Sequence, residues 1–217
     1  MITENEKEQV DAFTQLASAT DEFELYRNEH AARIAKIADE IAQRFLLASR
    51  DRKSLRAAAL LHDLGEAAME RDYMQRAGQL TEEERSDLSR HPVIGEQEAA
   101  RAGADRATTL LVRWHHEWWN GGGYPDGLRG EEIPLAGRIL RVADSYASLT
   151  AARPFREAYS ADVARQMIVE RAGIEFDPRV VKAFVELALT ENVEPAVDAV
   201  SENPSYENQE LFSSFMK

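Results

Sequence analysis

The sequence contains no cysteine among its 217 residues. This absence excludes disulfide bridges, a thiolate nucleophile, and zinc or iron–sulfur sites with sulfur ligands. A metal site in this chain would therefore use histidine nitrogens and carboxylate oxygens. Long apolar runs are also missing, and the acidic start lacks the basic and apolar regions of a signal peptide. We therefore expect a cytoplasmic protein with no membrane-spanning helix and no membrane partner.

Basic charge is scarce at both ends of the chain. The formal net charge is −13, and residues 1–24 carry seven acidic residues and one lysine, while residues 190–217 carry six acidic residues and one lysine. Such ends argue against binding to a DNA or RNA polymer, but they allow a small phosphorylated ligand within the body. We divide the chain into an acidic N-terminal segment (1–24), one body domain (25–189) and an acidic tail (190–217) that we expect to be flexible.

The body shows helical patterns and no convincing alternating strand pattern. Apolar residues recur with a spacing of three and four, as at Ile34, Ile37 and Ile41. This spacing predicts helices over residues 29–45, 53–64, 108–118, 135–149, 161–172 and 178–189. Thr81 and Glu84 have the spacing of a capping box at the start of another helix. That helix runs toward residue 91, where a proline should break or restart it. The fold class is therefore all-α, a helical bundle.

The histidines of the body are the strongest functional signal. They stand near the predicted helices, and two aspartates accompany them; the set is His30, His62, Asp63, His91, His115, His116 and Asp144. The separations of 24 to 32 residues between successive positions correspond to one helix plus its connection. Each helix of a bundle could therefore present a ligand to a common centre. Such ligands suit iron, manganese or zinc, and an aspartate can bridge two ions.

Each of these residues also has an ordinary structural interpretation. A lone inward histidine such as His30 is more often a hydrogen-bonded core residue than a ligand, and His91 could simply end a helix. Asp63 lies among leucines, and burying an unpaired carboxylate there would cost several kcal/mol. His115 and His116 point about 100° apart on a regular helix, so both reach one centre only where that helix ends.

In their order along the chain, these motifs resemble the HD-GYP proteins, a branch of the HD-domain metal-dependent phosphohydrolases. The resemblance covers residues 26–187. It is carried by His62 and Asp63 within residues 61–65, by His91, Pro92 and Gly95, by residues 115–134 with Gly121, Gly123, Tyr124, Pro125 and Gly127, and by Arg138, Asp144, Arg153, Pro154, Phe176, Asp177 and Pro178. It implies an HD-domain-like helical bundle with a buried dimetal centre.

The resemblance implies an enzyme, a phosphodiesterase that hydrolyses a cyclic dinucleotide, chiefly cyclic di-GMP. The resemblance also implies two divalent metal ions, iron or manganese, with a hydroxide between them as the nucleophile. The implied ligands of the first ion are His30, His62, Asp63 and Asp144, and those of the second are Asp63, His91, His115 and His116. His62 and Asp63 are the implied catalytic residues.

The resemblance also implies substrate contacts. Arg153 and Arg156 match positions that face the phosphates of the dinucleotide, and Gly123, Tyr124 and Pro125 match a loop beside the site. Both arginines could equally be exposed, solvated charges, and the tyrosine could be a packed core residue. A cyclic-dinucleotide synthase domain is a possible protein partner.

Three residues depart from the family pattern. Glu66 stands where the family commonly has a lysine that contacts the scissile phosphate, and Ala147 stands where a second aspartate is usual. Tyr26 replaces a glutamate that binds a third metal in some members, so we expect two metals rather than three. The first two changes support an alternative hypothesis, a catalytically weakened module that keeps its metals and senses a cyclic dinucleotide or docks on a protein.

Overall fold

The structure is a computed structural model that describes residues 4–26, 29–76, 78–153 and 157–190. The helices in these ranges are α1 (Glu4–Phe23), α2 (His30–Arg44), α3 (Ser49–Leu61), α4 (Leu64–Met69), α5 (Glu82–Leu88), α6 (His91–Arg101), α7 (Arg106–Trp114), α8 (Leu135–Leu149), α9 (Ala161–Glu170) and α10 (Pro178–Thr190). Within the described ranges there is no β-strand, and Ala172 and Phe176 form an isolated bridge. The all-α fold is confirmed.

The core lies where α2, α3 and α8 pack together. Ile34, Leu55 and Leu140, one from each helix, are fully buried. Burial of a side chain of this size stabilises the fold by about 1.5–3 kcal/mol. Helix α8 is buried at every residue from Gly137 to Leu149. Its polar residues must therefore find partners inside the protein.

Several predicted helices agree closely with the structure. The prediction of residues 135–149 coincides with α8, and that of residues 29–45 exceeds α2 by one residue at each end. The predicted capping box of α5 is present: the Thr81 hydroxyl accepts a hydrogen bond from the Glu84 amide at 3.2 Å, and the Glu84 carboxylate accepts one from the Thr81 amide at 2.8 Å. Helix α6 restarts at His91, with Pro92 in its first turn.

Two predicted helices have wrong ends. The helix predicted over residues 108–118 is α7, which begins earlier because the Asp105 carboxylate accepts a hydrogen bond from the Thr108 amide at 2.8 Å. It stops at Trp114, so His115 and His116 lie in a turn. The helix predicted over residues 53–64 is α3, which begins at Ser49 and ends at Leu61. A turn at the next two residues separates it from α4.

The acidic N-terminal segment forms the helix α1, which the sequence patterns do not predict. Phe13 and Ala17 are each 4% exposed and pack toward the core. Two buried carboxylates lie at the end of α1 and just after it, since Asp21 is 7% and Glu24 is 3% exposed. The predicted tail lies outside the described residues beyond residue 190. Of the described helices, none combines the length and apolar content that crossing a bilayer requires.

Helices α4 and α6 approach so closely at Gly65 that no side chain fits. A Cβ atom there would lie 2.1 Å from the carbonyl oxygen of His91 and 2.7 Å from the amide nitrogen of Gly95. We expect Gly65→Ala to lower the free energy of unfolding by about 3 kcal/mol, because backbone atoms would have to move. Chemical denaturation measures this loss.

Gly137→Ala is the control for this prediction. Gly137 lies in α8, and the nearest atom to an added Cβ is a side-chain carbon at 3.4 Å. Alanine should be neutral there, or stabilising by up to about 1 kcal/mol, because it favours a helix. Equal losses in the two variants would contradict the close approach of α4 and α6.

Candidate metal centre

Five segments bring the predicted ligands together. His30 is the first residue of α2, and His91 is the first residue of α6. His62 and Asp63 occupy the break between α3 and α4, and Asp144 lies within α8. All seven predicted ligands are buried, including the histidine pair that follows α7. The structure therefore places all seven predicted ligands in the interior, as their spacing predicts.

The potential ligand atoms form two groups. The atoms within each group lie no more than 4.8 Å apart, and the groups are Asp63, His91, His115 and His116, and His30, His62 and Asp144. Asp63 lies between them. One of its oxygens is 2.9 Å from Nε2 of His62, while the other is 3.3 Å from Nε2 of His91 and 3.4 Å from Nε2 of His115. This carboxylate can therefore face both groups.

Three histidines are oriented in the same way. The Nδ1 atoms of His62, His91 and His115 lie 2.9, 2.9 and 2.6 Å from the carbonyl oxygens of Ala59, Leu88 and Val112. A carbonyl only accepts hydrogen bonds, so each Nδ1 carries a proton, and Nε2 is the nitrogen left to bind a metal. A hydrogen bond of this kind orients a metal-ligating imidazole. The three rings are thus prepared to bind a cation through Nε2.

Several buried polar atoms of the centre make no contact of good hydrogen-bond geometry with the described residues. They are both ring nitrogens of His30, Nε2 of His62 and Oδ1 of Asp63. Buried polar atoms in native proteins nearly always have partners, and leaving them unpaired is costly. Divalent cations would satisfy them, and imidazole nitrogens with carboxylate oxygens suit iron, manganese or zinc. The residues present therefore fit divalent metal ions.

The electrostatics of the centre also suit cations. Burial lowers the pKa of His30 and of His116 well below the usual value, so both rings are neutral. Burial alone would also lower the pKa of His62, but the carboxylates of Asp63 and Asp144 outweigh it and raise that pKa to about 10. Burial opposes ionisation of Asp63, yet His62 and the other neighbouring histidines keep its pKa well below the usual value. The centre therefore holds negative charge that a proton on His62 balances.

Glu117 holds the glycine-rich loop against the centre. Its carboxylate is 2% exposed and accepts hydrogen bonds from the amides of Asp126 at 2.7 Å, Gly127 at 3.1 Å and Leu128 at 2.9 Å. Burial raises the pKa of Glu117, although these amides favour the ionised form. A side chain that follows the histidine pair directly thus holds three consecutive amides of the loop.

The predicted loop residues lie beside the second ligand group. The ring of Tyr124 stacks on His116, with 4.8 Å between centroids, and meets His91 edge-on at 6.3 Å. Gly123 is required by space, since an added Cβ would lie 2.3 Å from the amide nitrogen of Trp118. Pro125 is half-buried. Tyr124 is thus a neighbour of the centre and not part of the apolar core.

Arg153 lies next to the first ligand group and is not an exposed charge. Its side chain is 8% exposed and forms an ion pair with Glu24 at 3.1 Å. Its guanidinium lies 4.1 Å from the ring centroid of Tyr26, and that ring stacks on His30 with 3.6 Å between centroids. Arg156, the other predicted phosphate contact, lies outside the described residues.

The structure reveals contacts that sequence reasoning missed. Nη1 of Arg141 lies 3.1 Å from Nδ1 of His116 and 3.4 Å from an oxygen of Asp144. Its Nη2 donates to the buried carboxylate of Glu175. The one signal in the sequence is a charged residue inside the apolar pattern of α8, three residues before Asp144. The partner on another segment leaves no local signal.

Two of the three departures from the family pattern, Glu66 and Ala147, are buried as well. Glu66 is 6% exposed, and one of its oxygens lies 3.9 Å from Nδ1 of His91. Ala147 is fully buried, three residues after Asp144 on α8. Residue 66 therefore places a buried carboxyl group beside the centre, and residue 147 places no polar group there.

Comparison with known proteins identifies relatives. The family model of the HD domain matches residues 13–180. RpfG of Xanthomonas campestris, named a cyclic di-GMP phosphodiesterase response regulator, is 34% identical over 187 residues, which cover 85% of this chain and 49% of that protein. A cyclic di-GMP phosphodiesterase of Vibrio cholerae is 41% identical over 135 residues, covering 59% of this chain and 27% of that protein. The chain thus spans half the length of these relatives or less.

Solved structures show the same fold. Bd1817, an HDG"Y"P protein from Bdellovibrio bacteriovorus, aligns with a TM-score of 0.61 at 19% identity, covering 74% of this chain and 52% of that chain. A cyclic GMP-AMP phosphodiesterase of Vibrio cholerae aligns with a TM-score of 0.63 at 22% identity, covering 82% of this chain and 48% of that chain. The motifs, the fold and the family match agree: this chain belongs to the HD domain family and, within it, to the HD-GYP branch.

Proposed function

We propose that the chain is a metal-dependent phosphodiesterase that hydrolyses a cyclic dinucleotide, with cyclic di-GMP as the first candidate. The observation that carries this proposal is the pair of buried ligand groups on either side of Asp63. A module that only docks on other proteins has no need for seven buried ligand side chains. Relatives that are named cyclic di-GMP phosphodiesterases support the substrate class.

We assign two divalent cations, iron or manganese, to the centre. The first would be held by His30, His62, Asp63 and Asp144, and the second by Asp63, His91, His115 and His116. When bound, such cations lower the pKa of a water molecule and neutralise charge on phosphate oxygens. Tyr26 stacks on His30 where a third metal would need a carboxylate, which supports two ions rather than three.

The chain's own residues would bind and orient the substrate around this centre. The guanidinium of Arg153 can donate two hydrogen bonds to one phosphate once it leaves Glu24. The ring of Tyr124 offers a face for a base, and Gly123 lets the backbone of the loop pass close to the second group. We also assign Arg156 to the phosphates on the basis of the family resemblance. His62 and Asp63 remain the residues on which hydrolysis would depend most.

Turnover and metal content, measured on one sample, test this proposal. The protein is purified without oxygen, loaded with iron(II) or manganese(II), and assayed with cyclic di-GMP. Two bound metals with metal-dependent product formation would support the phosphodiesterase. Two bound metals without turnover of cyclic di-GMP or cyclic GMP-AMP would overturn it in favour of a sensing or docking module. Fewer than one bound metal would overturn the ligand assignment itself.

The buried carboxylate of Glu66 favours the second candidate function. Its charge lies beside His91, where an anionic phosphodiester would approach the second ligand group. Repulsion there would slow hydrolysis while leaving the metals in place. The second candidate is therefore a cyclic-dinucleotide sensor, or a module that docks on a cyclic-dinucleotide synthase domain, that retains slow turnover.

Glu66→Gln is expected to raise turnover about 10-fold at saturating metal, because it removes this repulsion without changing the shape of the side chain. Steady-state kinetics with cyclic di-GMP measure the change. Glu70→Gln is the matched control, since Glu70 is exposed at the end of the same helix and should leave turnover unchanged. Unchanged turnover in Glu66→Gln would mean that the carboxylate does not limit hydrolysis.

A further inference from the structure

The guanidinium of Arg141 contacts one predicted ligand from each group. Its Nη1 lies 3.1 Å from Nδ1 of His116 and 3.4 Å from Oδ2 of Asp144. The Arg141 side chain is only 3% exposed, so water screens these contacts little. The positively charged guanidinium therefore contacts a proposed ligand of each of the two metal ions.

The contact with His116 fixes the proton on that ring. A guanidinium has only donors, so Nδ1 of His116 must accept, and a neutral imidazole then carries its proton on Nε2. In that state the ring has no free lone pair for a metal. This is the reverse of the arrangement at His62, His91 and His115, whose Nδ1 atoms face carbonyl oxygens.

Glu175 gives Arg141 a third partner, which belongs to neither ligand group. Its carboxylate is fully buried and accepts hydrogen bonds from Nη2 of Arg141 and, at 2.7 Å, from Nε of Arg171. The guanidinium can therefore release His116 without losing all its partners. A buried cation without a partner would be far too costly, so this carboxylate makes the release possible.

We infer that Arg141 is a positioning residue that competes with the second metal ion for His116, and that Glu175 sets the balance by holding the guanidinium. The inference rests on the proposed function, because it concerns loading of that metal centre. Metal binding by His116 through Nε2 requires the hydrogen bond from Arg141 to break. The ring proton then moves from Nε2 to Nδ1, and the net charge of the ring does not change.

Metal titration of the chelator-treated protein tests the competition. Arg141→Met removes both the donor and the charge and leaves Glu175 paired with Arg171; we expect it to bind manganese(II) at the second group about 10-fold more tightly. Glu175→Gln should weaken the same binding about 10-fold, because it leaves Arg141 on His116. The double variant should behave like Arg141→Met, since Glu175 acts through Arg141. Calorimetry gives both affinities, and the visible spectrum of bound cobalt(II) reports the ligand set.

Arg33→Met supplies the matched control. Arg33 is a partly buried arginine that donates to the carbonyl of Ala147 on α8, so the variant removes an equal charge from the same helix packing. Its second metal affinity should match that of the wild type. If Arg141→Met binds the second metal no more tightly than the wild type, or if Arg33→Met tightens it equally, the competition is overturned.

A second measurement does not depend on a folded variant. Nitrogen-15 NMR of the histidine rings in the metal-free wild type should find a proton on Nε2 but none on Nδ1 of His116, and a proton on Nδ1 of each of His62, His91 and His115. A proton on Nδ1 of His116 would overturn the inference. A wild-type protein that takes up no metal would overturn the proposed function. If the wild type binds two ions and Arg141→Met binds them with the same affinities, only the competition is overturned.

Discussion

Asp63→Ala is expected to reduce turnover of the proposed substrate, a cyclic dinucleotide, by at least about 1,000-fold and to lower the metal content from the proposed two ions to fewer than one. Asp63 lies between both ligand groups, with oxygens 2.9 Å from His62 and 3.3 Å from His91. Its removal would leave five buried histidines facing two cations with little negative charge to balance them. Turnover and metal counting on the same preparation measure the two losses.

Asp162→Ala is the control for this prediction. Asp162 lies on α9 with its side chain 92% exposed, so the variant makes the same chemical change away from the centre. Its metal content and turnover should equal those of the wild type. Asp63→Ala protein that still binds two metals would show that the carboxylate is not a shared ligand. Retained metals with lost turnover would move Asp63 from metal binding to a direct role in hydrolysis.

Asp177→Ala is expected to lower the free energy of unfolding by about 3–5 kcal/mol, because it leaves a buried cation without its partner. The carboxylate of Asp177 is 1% exposed and accepts a hydrogen bond from Arg138 at 2.5 Å. Its other oxygen accepts one from the amide of Arg179 at 2.8 Å, at the start of α10. The pair thus joins α8 to α10. A loss of this size is a large fraction of the 5–15 kcal/mol typical of a domain.

Glu131→Ala isolates the buried part of this effect. Glu131 binds the same Arg179 at 2.8 Å, but its side chain is 73% exposed, so the variant should cost no more than about 0.5–1 kcal/mol. Denaturant unfolding of both variants gives the comparison. Similar losses would contradict the view that burial, and not the ion pair itself, makes Asp177 important.

The sequence predicts the helices whose stability comes mainly from their own residues. Helix α8 is predicted at both ends because its apolar residues are dense and Pro134 precedes it. Helix α1 is not predicted, because its apolar residues, such as Phe13 and Ala17, stand among polar and acidic ones and stabilise the helix only when they pack on the body. Local patterns do not contain that tertiary contribution.

The centre divides in the same way. The seven ligand positions follow from residue type, spacing and family resemblance, and the structure brings their side chains together. The charged partners do not follow, because Arg141 meets Glu175 and Arg153 meets Glu24 across 34 and 129 residues. The sequence near either arginine contains no pattern that predicts those contacts. The sequence shows that Glu66 departs from the family pattern, but only the folded structure shows that it is buried beside His91.

The proposed ligands of the centre come from segments spread between residues 30 and 144. An unfolded chain scatters these side chains, so it cannot offer a cation the same site. Metal binding and folding are then linked equilibria, and a free metal concentration 100 times the dissociation constant would add about 2.7 kcal/mol to stability. A chelator would act on this protein as a mild denaturant, and the melting temperature would serve as a gauge of metal occupancy.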